Sequence, residues 1–205
     1  MTIAMTDRMT LEAFLAYEDG QETRYELVDG VLVDMGTEST INTAIVSLLF
    51  AAFLKVGLPF QRLGIKQKLE VRSAHASARD PDLLVHSVES RLAIKGRSQA
   101  CLFLHEPNPA IVIEIVSPGS EATENYQRDY VQKPKEYGDR GIPEFWQIDP
   151  ERAWVRVGRL VSDRQDDRQE HDRYEFVTFQ GDALLQSPTL PTLQLTAAQV
   201  LSADD

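Results

Sequence analysis

Ala110-Ile111-Val112-Ile113-Glu114-Ile115-Val116 reads as a buried strand: six aliphatic residues, mostly β-branched, with one acid set among them. Pro118-Gly119-Ser120 turns the chain just beyond it. A bare carboxylate inside such a strand costs several kcal/mol unless it is paired or bound to a cation, so Glu114 demands a partner. A second run, Leu83-Leu84-Val85, is entered from Asp80-Pro81-Asp82 and reads as another buried strand. Two carboxylates on neighbouring strands, Asp82 and Glu114, make a site for a hard divalent metal. A lysine beside them would complete phosphodiester-cleaving machinery, with Glu26 and Lys133 as the further members of the set.

Outward from these strands, Tyr25 to Met35 alternates and carries Asp29-Gly30 between Leu27-Val28 and Val31-Leu32-Val33, which predicts a hairpin. Thr10 caps a short helix through Leu15. Apolar residues at 41, 44, 45, 48, 49, 52 and 53 predict an amphipathic helix from Ser39 to Val56, stopped by Gly57. Gly64 to Val71 alternates and predicts one strand, with Gln67 breaking its apolar face. Ser87 to Gln99 is a polar connection. Asn125 to Arg140 is helix-like, with Pro134 limiting or kinking it unless the helix proper starts there. Glu144 to Ile148, Ala153 to Leu160 and Tyr174 to Phe179 follow as strands, and a short helix is expected at Ala197 to Leu201. Helices and strands mix without regular alternation, so the expected fold is a mixed α/β core with added antiparallel strands. Residues 1–8 are expected to be disordered. Residues 9–205 are expected to form one domain, with its core at about 20–160 and a C-terminal hairpin and tail over 161–205.

The 205-residue chain is 42% hydrophobic and 26% charged, a globular composition. Its longest apolar stretch, Ile45 to Leu54, is interrupted at Ser47 and is too short to span a bilayer. Met1 to Arg8 lacks the apolar core of a signal peptide. The single cysteine, Cys101, excludes an internal disulfide, fits a reducing cytoplasm, and reads as a small buried hydrophobe. The net charge of -11 weighs against a broad basic surface for nucleic acid and asks instead for a local basic groove, metal ions or a partner.

Magnesium prefers oxygen ligands and often takes only one or two carboxylates, with water and substrate phosphate completing the shell. Asp82 and Glu114 suit it, and the Ile115 carbonyl can add a ligand. Lys133 can orient or deprotonate a water, and Glu26 can complete the acidic cluster. Structural duties stand beside these roles. Asp82 can cap a turn after Pro81, Glu114 can pair with Arg79 or a lysine, and Glu26 can pair with Arg24 or another neighbour. Lys133 and Lys135 can be solubilising charges on an exposed helix face. His75, His86, His105 and His171 lack zinc spacing, Ser117 lacks a nucleophile elbow, and no glycine loop with lysine cradles phosphate. Phe145 and Trp146 read as core.

Taken in order, these residues resemble the Uma-two-like family of restriction-endonuclease-like proteins, within the PD-(D/E)xK nuclease superfamily. The matching blocks are Tyr25 to Gly30, Asp80 to Val85, Val112 to Pro118, and Lys133 through Tyr137 to the run Gly141 to Pro150. The resemblance implies a restriction-endonuclease-like core, with Asp82 as the superfamily's Pro-Asp acid and Glu114 as the first acid of its third motif. The superfamily's lysine would fall at Val116, so the family pattern moves that role to the following helix, at Lys133, with Lys135 as the second candidate. Asn42 stands where the family often has histidine.

The expected activity is magnesium-dependent (or manganese-dependent) hydrolysis of DNA by a cytoplasmic protein, with a homodimer as the form suited to cutting both strands of a duplex. The rival is a catalytically inactive module of the same fold that binds a protein or nucleic acid. A metal hydrolase for another phosphoester shares the same site chemistry.

Overall fold

In a computed structural model, residues 8–18, 20, 23–163 and 171–204 are described. Walking the chain gives α1 (Leu11–Leu15), β1 (Tyr25–Val28), β2 (Val31–Asp34), α2 (Thr40–Lys55), β3 (Leu63–Gly64), β4 (Lys68–Val71), β5 (Ser77–Arg79), β6 (Leu83–Val85), α3 (Val88–Ile94), β7 (Cys101–Leu102) and β8 (Ile111–Ile115). Then come α4 (Glu124–Tyr126), a π-wound segment (Gln127–Gln132), α5 (Lys133–Arg140), β9 (Glu144–Asp149), β10 (Trp154–Asp163), β11 (His171–Phe179) and α6 (Ala197–Leu201).

The strands form two sheets, one of five in the order β2-β1-β5-β4-β7 and one of six in the order β11-β10-β9-β8-β6-β3. β8 and β9 are parallel, as are β4 and β7, and the remaining named pairs are antiparallel. This is the mixed α/β core with antiparallel additions.

Several elements form where the sequence places them. Thr10 and Ser39 each accept a backbone N–H from the first turn of α1 and α2. Asp29 and Gly30 both take positive φ, 51° and 81°, as a tight hairpin turn needs. Ile45, Leu49 and Phe53 of α2 are fully buried against the six-stranded sheet, in a core that includes Leu83, Ile113 and Trp146. Phe53 meets Trp146 edge-on, with ring centroids 5.8 Å apart. Truncating Phe53 to alanine there would cost about 3–5 kcal/mol. Behind the sheet, Leu84, Val112, Tyr137 and Phe145 build a second core.

Four expectations need correction. The single strand from Gly64 to Val71 is two strands in different sheets, because Lys66 adopts a left-handed backbone (φ 55°) and redirects the chain. Gln67, which broke the apolar face, instead accepts the His86 Nε2–H at 2.6 Å. The polar stretch after β6 contains α3, capped by Ser87. Arg8, grouped with a disordered terminus, is tied by its guanidinium to Asp29, while residues 1–7 lie outside the described residues. The hairpin loop over residues 161–173 is shortened by β10 and β11, which extend into it, and 164–170 lie outside the described residues. The C-terminal segment is fastened to β9: the buried Glu144 carboxylate accepts from Ser187 Oγ at 2.6 Å and Thr189 N at 2.9 Å. Among the described residues no helix is long and apolar enough to cross a membrane.

Candidate active site

β6 and β8 pair with Leu83 opposite Ile113 and Leu84 opposite Val112. Continuing that register by one residue sets Asp82 opposite Glu114, and the two-residue period puts both on the face of Leu84 and Val112. Ile111, Ile113 and Ile115 take the other face and pack under α2. Asp82 Oδ2 accepts the Ile115 N–H at 2.7 Å, so its hydrogen bond crosses the sheet instead of capping the turn after Pro81.

Glu114 is 3% exposed, and its partner is a lysine, not Arg79. Lys133 Nζ donates to Glu114 Oε2 at 2.7 Å, and the Tyr137 hydroxyl donates to Oε1. Lys133 and Tyr137 are four residues apart, so both project from one face of α5 onto β8. Lys133 Nζ also lies 3.5 Å from Glu26 Oε1 and 3.5 Å from Asp129 Oδ1. Lys135 points elsewhere: its side chain is 68% exposed and pairs with Asp139.

Pro134 does not end this helix. It has no N–H to give the carbonyl of Tyr130, and its ring would crowd that carbonyl in a regular α-turn. The wider π winding of Gln127–Gln132 absorbs the misfit, and helical residues continue directly into α5. Asp129, Lys133 and Tyr137 are all buried as a result.

Glu26 comes from the other sheet. It is fully buried on β1, where Arg79 Nη1 donates to Oε2 at 2.8 Å and the Asp80 N–H reaches Oε1 at 3.3 Å. Arg79, also fully buried, donates through Nε to Glu136 at 2.7 Å and so joins β5 to α5. Arg24, a suggested partner of Glu26, is bound to Asp80 and Glu38 instead. Glu26, Glu114 and Lys133 thus meet directly, with Asp82 beside Glu114 on the wall of the same cavity.

Sequence reading missed Asp129 and Gln147, and it offered Arg79 only as a partner of Glu114, where the structure pairs it with Glu26 and Glu136. Gln147, level with Glu114 on β9, donates to the Asp129 carbonyl at 2.6 Å and fixes the π-wound segment. A polar residue inside the buried strand Glu144–Asp149 was the available signal.

Burial raises the Asp82 carboxyl to about 6, against the pull of Lys133 and the Ile115 N–H. Burial pushes the Glu114 carboxyl upward, opposed by Lys133 and reinforced by Asp82 and Glu26. Glu26 also suffers burial, but Lys133 and Arg79 outweigh it and hold its carboxyl at about 2. Burial disfavours the Lys133 ammonium, yet Glu114, Glu26 and Asp129 more than compensate and raise its pKa. Lys133 is therefore a cation at neutral pH in this arrangement. Its proton is held too firmly for a ready base.

A cavity of about 120 Å³ is walled by Asp80, Asp82, Glu114, Ile115 and Lys133, with Arg24, Glu38 and Asn42 completing it. At about 30 Å³ per water it has room for a few waters. Asn42 reaches it from α2 and donates through Nδ2 to Glu38 at 2.8 Å. Among the described residues no three His, Cys, Asp or Glu side chains form a ready-made metal cage. Among the described residues two acids remain under-satisfied: Asp82 Oδ1 has only Arg24 Nη2 at 3.9 Å, and the buried Asp80 Oδ1 has no hydrogen-bond partner.

This mixed sheet, whose neighbouring strands each bring a carboxylate to one face under a helix that carries a lysine, is a restriction-endonuclease-like fold. The chain belongs to the Uma2 family, described as "Putative restriction endonuclease", whose model matches residues 11–198. Among solved structures it is similar to a "putative nuclease belonging to DUF820" from Anabaena variabilis ATCC 29413. That match has a TM-score of 0.66 at 21% identity and covers 95% of this chain and 98% of the other, a likeness of fold. No curated protein matches the chain.

Proposed function

We propose that the protein is a magnesium-dependent endonuclease that hydrolyses DNA phosphodiester bonds. The observation that carries this reading is the buried Glu114–Lys133 pair set beside Asp82 in one small cavity. The donor set fits a hydrated magnesium ion. Asp82 Oδ1 is short of partners, and each Glu114 oxygen keeps a second lone pair. Asp82 and Glu114 would hold the ion, with the Ile115 carbonyl as a further oxygen. Bound there, magnesium would polarise the scissile phosphate and acidify a coordinated water.

The chain's own residues do the rest. Lys133 offsets charge on the phosphate and orients the attacking water, while Tyr137 steadies Glu114. Glu26 holds Lys133 and Arg79 in place as an auxiliary acid and touches no substrate. In this reading residues 9–205 act as one domain, in the cytoplasm, and two copies pair to cut both strands. Titrating magnesium or manganese into reactions with plasmid DNA tests it: cleavage that survives in both Asp82→Ala and Glu114→Ala excludes this site.

A second reading, a non-catalytic module of the same fold, is favoured by one observation: both Glu114 oxygens are already engaged by Lys133 and Tyr137. Calorimetry separates the two. A folded protein that takes up neither magnesium nor manganese at millimolar concentration is such a module.

A further inference from the structure

Four acids of the cavity, Glu38, Asp80, Asp82 and Glu114, face three cations, Arg24, Arg128 and Lys133. A phosphate entering this cavity meets a negative field, in a chain that already carries a net charge of -11. Two of the cations are committed deep in the protein. Lys133 is 4% exposed and shared among Glu26, Glu114 and Asp129, while Arg128 is 13% exposed and held by Asp129 and Ser117. Arg24 differs. Its side chain is 25% exposed, and it lies in the short segment before β1, outside any regular element.

The Arg24 guanidinium is parked on acids. Nε donates to Asp80 Oδ2 at 3.1 Å, Nη2 to the Asp80 carbonyl at 3.2 Å, and Nη1 to Glu38. Nη2 also stands 3.9 Å from Asp82 Oδ1, the oxygen left over once Oδ2 has taken the Ile115 N–H. Arg24 does not satisfy Asp80 fully, because Oδ1 of that buried carboxylate is unpartnered. Such leftover polarity asks for an explanation beyond stability. The planar guanidinium fork suits bidentate phosphate binding, and it is the lining cation with the most access to solvent.

We propose that Arg24 is a phosphate-binding residue of this site: its guanidinium covers Asp82 Oδ1 while nucleic acid is absent and moves onto a backbone phosphate when nucleic acid enters. This rests on the nuclease reading of the same cavity. Arg24 then has two opposed effects, opposing a divalent cation at Asp82 in the free protein and favouring the polyanion.

Two titrations on the full chain test it, manganese alone by calorimetry and a short labelled DNA duplex in EDTA by anisotropy. Arg24→Gln should bind manganese roughly three- to tenfold more tightly, because a cation near Asp82 is gone. It should bind the duplex roughly three- to tenfold more weakly, because a phosphate contact is gone. Arg24→Lys, which keeps the charge and loses the fork, should hold manganese affinity near wild type while still weakening the duplex. A purely structural Arg24 would weaken both or move neither, and either result overturns the proposal. Should Arg24→Gln fail to fold, Arg24→Lys decides: unchanged duplex affinity overturns the proposal, and weakened duplex affinity with unchanged manganese affinity upholds it. A wild type that binds no manganese removes the metal reading itself, and the duplex arm then judges Arg24 separately.

Discussion

The Lys133 ammonium donates to Glu114 Oε2 at 2.7 Å with both side chains almost fully buried, which makes this pair the electrostatic centre of the molecule. Helix α5 and strand β8 are joined through it, and Glu26 and Asp129 lean on the same nitrogen.

Removing one partner strands the other. Lys133→Met should destabilise the fold by about 3–5 kcal/mol, since three buried acids lose their shared cation. Adding Glu114→Gln to that variant should recover part of the loss. Urea unfolding of the two single variants and the double variant gives the coupling.

Asp82 should behave in the opposite sense. Its carboxyl is raised to about 6 by burial, so its charge opposes folding at neutral pH. Asp82→Asn keeps an oxygen for the Ile115 N–H and should gain about 1–3 kcal/mol at pH 7. In the wild type the unfolded chain releases this proton near pH 4 and the folded chain near 6, so this group lowers stability as pH rises across that window. The difference in denaturant midpoint between the wild type and Asp82→Asn should therefore be larger at pH 7 than at pH 4, because the opposing His86 contribution is common to both.

His86 contributes with the reverse sign. Burial lowers it to about 4, between Ser90 Oγ and Gln67 Oε1. The unfolded chain takes up this proton below about 6.5, so stability is lost as pH falls from about 6.5 to 4, by roughly 3 kcal/mol in all. Replacing His86 with Gln should flatten that part of the profile. A slope unchanged between the two proteins would assign the acid sensitivity to other groups.

Ligand linkage separates a metal site from a structural acid cluster. Magnesium at a hundred times its dissociation constant should stabilise the wild type by about 2.7 kcal/mol. Thermal melts with and without magnesium should show this in the wild type and not in Asp82→Asn.

The strands that bear the acids were legible because apolar runs broken by Asp82 and Glu114 announce both burial and its cost. α2 and the Asp29-Gly30 hairpin were legible from periodicity and turn chemistry. The convergence on Lys133 was only half legible. Its four-residue spacing from Tyr137 places both on one helix face, but the π winding that accommodates Pro134 leaves no periodic mark. The pairing of Glu26 with Arg79 and Lys133 was hidden because Glu26 and Arg79 arrive from the other sheet, and no local pattern reports contacts between sheets. The break at Lys66 was missed because a single left-handed lysine looks like any strand residue.

Anomalous diffraction from crystals soaked in manganese tests the central claim most directly. The account predicts a peak within coordination distance, about 2.0–2.3 Å, of both Asp82 and Glu114 carboxylates, with Lys133 turned toward the same point. A well-ordered crystal with no peak there, or with the ion bound away from both acids, would contradict it.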